Sequence, residues 1–209
     1  MKQKIISLAL MFVALVTTAC GQNQAETKSN DKPMNQKILT VFFSMKGETI
    51  MPGGRIEKLD KGNTYVCAEF IQKAVGGDLF EIETTKTYSE DHFKMIYEAK
   101  EEMDNGEKAQ PKRWLENLES YDVIFVGYPI WWGTSPPIIN TFLEHYDLTG
   151  KTIIPFCTSE GSGLLNTVSE LQTVCKGATV KPEALHIRGS KARQSQEEVA
   201  EWAKKQIKE

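Results

Sequence analysis

From position 37 onward, short apolar runs alternate with longer segments whose apolar residues recur every three to four positions. The runs cover 38–43, 79–83, 123–128, 152–157 and 184–187. Those at 38–43, 123–128 and 152–157 are apolar almost throughout, as expected of parallel strands covered by helices on both faces. Glu81 and Glu83 interrupt the run at 79–83 and place it nearer a sheet edge; 184–187 is the weakest run. Segments 64–75, 89–103, 137–146, 164–175 and 194–207 read as helices. The last carries Val199, Trp202, Ala203 and Ile207 on one face, a 3.6-residue period. Five strands alternating with five helices predict a doubly wound α/β fold, a parallel sheet with helices on both faces. Right-handed crossovers leave few topologies.

The first 35 positions break this rhythm. Lys2 and Lys4 precede an apolar stretch over 5–16, followed by Thr17-Thr18-Ala19-Cys20. A basic start, an apolar segment of this length and small residues before a cleavage point read as an export signal. Its end resembles the lipobox of bacterial lipoproteins, with Thr17 where that family usually carries Leu. The resemblance implies cleavage before Cys20 and acylation of Cys20. Positions 21–35 are polar and poor in aromatic and β-branched residues, so a disordered tether on the order of 20 Å is expected. The predicted organisation is a signal peptide at 1–19, a lipidated Cys20 with its tether over 20–35, and one domain over 36–209. Such a chain is exported and held at a membrane of the bacterial cell envelope.

Of the 209 residues, 40% are hydrophobic and 25% charged, enough for one core of ordinary size. The formal charge is −3, and losing Lys2 and Lys4 with residues 1–19 takes it to −5. Without a basic field, nucleic acid is disfavoured as a partner. No apolar run reaches the roughly 20 residues that span a bilayer. The four cysteines lack any Cys-x-x-Cys spacing and the three histidines are scattered, so no metal site is expected. Cys67, Cys157 and Cys175 fall within helix or strand patterns and read as buried free thiols.

Ligands of doubly wound sheets bind beyond the carboxyl ends of the strands, where the winding direction switches. The loops there are the most distinctive parts of this chain. The first strand runs into Ser44-Met45-Lys46-Gly47-Glu48-Thr49, and a helix begins only at Gly62-Asn63-Thr64. A helix start of this kind offers free N–H groups to a phosphate. The chain holds no Gly-x-x-x-x-Gly-Lys-Ser/Thr loop and no Gly-x-Gly-x-x-Gly turn. The third strand ends in Tyr128-Pro129-Ile130-Trp131-Trp132-Gly133. Two adjacent tryptophans in such a loop cannot share one core, and exposed aromatic surface here suggests a planar ligand. The fourth ends in Thr158-Ser159-Glu160-Gly161-Ser162-Gly163, small residues that admit close approach.

Taken together, these segments resemble the flavodoxins, in particular a bacterial group with a Tyr-Pro-Ile-Trp-Trp-Gly loop. Phe43-Ser44, Gly62-Asn63-Thr64, the stretch 127–133, Thr141-Phe142-Leu143-Glu144 and the stretch 150–158 carry the resemblance. It implies strand order 2-1-3-4-5 and FMN at the switch point. It further implies that Ser44, Gly62, Asn63 and Thr64 hold the phosphate, with backbone donors from Met45 and Lys46. Pro129, Ile130, Trp131, Trp132 and Gly133 would line one side of the flavin; Thr158, Ser159, Glu160, Gly161, Ser162 and Gly163 would line the other edge. One departure is plain. Seventeen residues, 45–61, separate Ser44 from Gly62 where flavodoxins run without a break.

The loops present no Ser-His-Asp order, Cys–His pair or paired carboxylates, so a bound cofactor would carry the chemistry. Three classes stay open: an electron shuttle serving a redox partner protein, a two-electron FMN reductase of an acceptor such as a quinone, and a non-enzymatic binding module. The 45–61 segment could roof the flavin and form a substrate pocket.

Overall fold

The computed structural model describes residues 36–208, and the expected signal peptide, Cys20 and tether lie outside them. Strands β1 (Ile38–Phe42), β4 (Asp78–Glu81), β5 (Val123–Pro129), β6 (Thr152–Ser159), β7 (Thr179–Val180) and β8 (Leu185–Arg188) form the main sheet. Every pairing in it is parallel, in the order β4-β1-β5-β6, with both β7 and β8 along the outer side of β6. This is the 2-1-3-4-5 order with its last position shared by two short strands.

Pro155 explains the shared edge. The N–H of Thr152 donates to Asp122 on the β5 side. Alternation along β6 therefore turns position 155 outward, where proline has no N–H to give. β7 pairs with Thr152 and Ile153, β8 with Phe156 through Ser159, and the missing donor falls between them.

The same alternation builds two cores. Leu39, Val41, Ile124, Val126, Ile153 and Cys157 join one buried cluster with residues of α3 (Pro137–Glu144) and α4 (Thr167–Val174). Ile38, Phe42, Val123, Phe125, Ile154 and Phe156 join the other, with α1 (Asn63–Val75) and α5 (Gln196–Gln206). Helix α2 (His92–Asp104) starts at Asp91, whose carboxylate accepts the N–H of Lys94 at 2.9 Å. That cap begins the helix three residues later than the apolar pattern suggests. A 3₁₀ segment, Gly189–Gln194, likewise precedes α5 and delays its start.

The 45–61 insertion is an antiparallel hairpin, β2 (Gly47–Ile50) with β3 (Ile56–Leu59). Its turn has Pro52 followed by Gly53 at φ +82°, and Gly54 N–H donates to Met51 at 3.0 Å, as a type II turn requires. Glu48 N–H donates to the Glu90 carbonyl at 2.8 Å, and the Glu48 carboxylate accepts the N–H of His92 at 3.3 Å. The hairpin is thereby fastened to the start of α2.

Candidate functional site

A cavity of about 380 Å³ opens beyond the carboxyl ends of β1, β5 and β6. Loop residues from the strands form one wall; Gly47, Glu48, Thr49, Ile50 and Leu59 of the hairpin, with His92, Met95 and Ile96 of α2, form the other.

One end of the cavity is polar. Gly62, the N-cap of α1, has no side chain to offer, and Ser44 supplies the cap instead: its Oγ accepts the N–H of Tyr65 at 3.1 Å. A Cβ on Gly62 would stand 2.1 Å from the Met45 carbonyl oxygen and 2.2 Å from Ser44 Oγ. Only glycine lets these two backbone segments meet. The hairpin thus leaves and returns to the same point, and the interrupted loop is rejoined in space. First-turn N–H groups of α1 lack intrahelical partners and face this end. The Thr64 and Thr158 hydroxyls, both buried, pair at 2.8 Å. Such a pair shares one hydrogen and leaves the other free to donate. Asn63 lines the same end; its Oδ1 accepts from Arg193 Nη1 at 2.9 Å.

The other end is apolar, bounded by Met45, Pro129, Ile130, Trp131, Met95 and Ile96. Trp131 is only 6% exposed and packs edge-on against Phe43 and Tyr88, at centroid distances of 5.4 and 5.2 Å. Tyr88 is itself anchored: its hydroxyl donates to Glu102 Oε2 at 2.6 Å, and Lys86 Nζ lies 3.0 Å from that oxygen. Burial, reinforced by this carboxylate, pushes the Tyr88 phenol far above its ordinary value, so it stays a donor at physiological pH.

The tandem tryptophans part company. Trp132 has φ +48° and Gly133 φ +96°, while Trp131 and Thr134 exchange backbone hydrogen bonds of 2.9 and 3.0 Å. These are the φ signs of a type I′ turn, which sends the two indoles in different directions. Trp132 is 53% exposed and does not line the cavity; its Nε1 donates to the Ile96 carbonyl at 2.8 Å. The expected aromatic surface is therefore one buried wall and one outer strut.

Ser44, Met45, Asn63, Thr64, Pro129, Ile130, Trp131, Thr158, Ser159 and Glu160 come together at the cavity as the sequence suggests. Lys46 and Gly62 border a neighbouring cavity that shares Ser44 and Met45. Gly133, Gly161, Ser162 and Gly163 lie outside the lining and shape the loops. The Glu160 carboxylate accepts from the N–H and hydroxyl of Ser190, and Ser159 Oγ meets His186 Nε2 at 2.9 Å. Sequence reasoning missed Gly189, Arg193 and the wall from α2, for which no local signal exists. The hairpin did leave one, Pro52-Gly53-Gly54 between strand-forming residues.

A family model described as flavodoxin matches residues 59–206. A Bacteroides eggerthii structure assigned as a flavoprotein is 32% identical over 81% of this chain and 97% of its own, with a TM-score of 0.62. A Bacteroides uniformis counterpart is 31% identical over 81% and 98%, also at 0.62. A Lactobacillus acidophilus flavoprotein solved with FMN shares the fold at 19% identity, covering 78% of this chain and 99% of its own, with a TM-score of 0.52. Comparison with curated proteins finds no match. The sheet order, the position of the cavity and the family match together show that this chain belongs to the flavodoxin family.

Proposed function

We propose that this protein binds FMN non-covalently in the cavity and transfers electrons through it. The observation that carries the proposal is the two-ended cavity, with N–H and O–H donors at the start of α1 and an apolar wall at Ile130 and Trp131. A flavin mononucleotide needs those surroundings at its phosphate and its ring. The absence of a dinucleotide fingerprint favours FMN over FAD, and the two Bacteroides relatives support a flavin ligand.

When bound, FMN supplies one- or two-electron chemistry. The residues of this chain bind and orient it. Ser44, Asn63, Thr64 and the Met45 backbone hold the phosphate end; Pro129, Ile130 and Trp131 flank the ring; Thr158 and Ser159 border the other edge. The Glu102–Tyr88 hydrogen bond anchors the ring against which Trp131 packs. Fluorescence titration with FMN, FAD and riboflavin tests the reading. FMN should bind tightest, and binding of riboflavin as tight as FMN would overturn it.

A second reading, two-electron reduction of a small acceptor such as a quinone by a nicotinamide donor, gains support from the hairpin wall. A shuttle partner protein needs an open flavin edge, whereas β2, β3 and α2 enclose this cavity. Reductive titration separates the two: the shuttle takes up electrons in two resolved steps, the reductase in one with steady quinone turnover.

Location belongs to the same proposal. The segment ending in Thr17-Thr18-Ala19-Cys20 supports export and lipid attachment, and two or three acyl chains suffice for stable anchoring. Cys20→Ala should move the protein from the membrane fraction to the soluble one; an unchanged distribution would refute the anchor.

A further inference from the structure

Arg193 sits in the 3₁₀ segment before α5, 130 positions from Asn63, yet reaches the start of α1. Its Nη1 donates to Asn63 Oδ1 at 2.9 Å and its Nη2 to the Lys61 carbonyl oxygen at 2.7 Å. A guanidinium carries donors and no acceptor, so the amide atom facing it has to be oxygen. The Asn63 Nδ2 therefore points the other way. On that side, a Cβ built on Gly189 would stand 2.7 Å from Nδ2 and 3.2 Å from Glu160 Oε1. Asn63, Glu160 and Gly189 all line the cavity, and the bare glycine leaves the amide unobstructed. The Glu160 carboxylate accepts from the N–H and hydroxyl of Ser190 and takes no hydrogen bond from the Asn63 amide.

We infer that Arg193 is a positioning residue that makes the site selective for a phosphate-bearing flavin, by committing the Asn63 amide to present N–H to the anion. The inference rests on the FMN reading above. Anchoring to the Lys61 carbonyl makes the guanidinium a two-point clamp that a single ammonium cannot reproduce. Released from Arg193, the amide turns freely, and the phosphate has to fix it in the donor orientation at the entropic cost of ordering that side chain. Riboflavin has no phosphate and is indifferent to that rotation.

The test compares FMN and riboflavin dissociation constants for the full chain, Arg193→Met, Arg193→Lys, Asn63→Ala and the Arg193→Met/Asn63→Ala pair. Arg193→Met should weaken FMN about fivefold, the cost of immobilising one side chain on binding, and riboflavin less than about twofold. Retained riboflavin binding shows that the variants are folded. The double variant should bind FMN no more weakly than Asn63→Ala, because Arg193 acts through Asn63. Arg193→Lys should stay impaired. Equal losses for both ligands would make Arg193 a scaffold residue, additive losses would make it a direct phosphate ligand, and full recovery in Arg193→Lys would reduce it to a bare charge. Each result overturns the inference. A parent protein that binds riboflavin as tightly as FMN instead overturns the FMN reading, a distinguishable failure.

Discussion

Gly62 stands where two pieces of backbone touch, and no other residue fits there. An alanine Cβ 2.1 Å from the Met45 carbonyl oxygen would force the 44–46 loop away from α1. Gly62→Ala should therefore destabilise the fold by about 2–4 kcal/mol and weaken FMN binding, read by denaturant unfolding and flavin titration. An unchanged unfolding midpoint would mean the two segments part without penalty. Glu81, at the end of β4, has its carboxyl pKa raised, chiefly by burial and next by Glu83. The native state keeps this proton to higher pH than the unfolded chain, so stability falls as pH rises past the ordinary carboxyl value of the unfolded chain. Glu81→Gln should thus stabilise the protein at neutral pH, with the gain fading below that value. An equal gain at both pH values would point to packing rather than charge.

At the scale of elements, the hairpin is an outgrowth whose two ends meet. Gly47 and Leu59 are cross-strand partners, so a two-residue Asn-Gly turn in place of 48–58 can join them. The deletion removes the Lys58–Glu90 ion pair of 2.7 Å, which is exposed and screened by solvent. The sheet and the α1 end of the site should survive. With the hairpin's part of the cavity wall gone, FMN should leave about tenfold faster in stopped-flow measurements, most affinity change appearing in the dissociation rate. Unaltered release would show that the hairpin does not cover the ligand.

Across the whole molecule, the two cores on either face of the sheet seal off chemistry as well as apolar surface. Cys67, Cys157 and Cys175 are buried free thiols, and burial pushes each up to about 12. Thiolate is the reactive form, so peptides containing these residues should resist alkylation at pH 8 and label fully only in denaturant. Fast labelling of Cys157 in the native protein would mean that β6 opens on its own, against its central place between β5 and the paired edge strands.

The apolar runs and helical periods were legible along the chain because period and Gly/Pro punctuation arise from residues a few positions apart. They located five strands, five helices and the loops that carry the site, while the strand order came from the family resemblance. Three features escaped such signals. The sequence separates Ser44 from Gly62, and only the close packing permitted by a missing Cβ rejoins them. It makes Trp131 and Trp132 equivalent, and the turn between β5 and α3 decides which becomes cavity wall and which outer strut. It places Arg193 far from Asn63, and packing the 3₁₀ segment before α5 against α1 creates the hydrogen bond that orients the amide. Local patterns set which elements form and where their loops lie; donor direction and shared surfaces depend on long-range packing, and only the tertiary structure decides them.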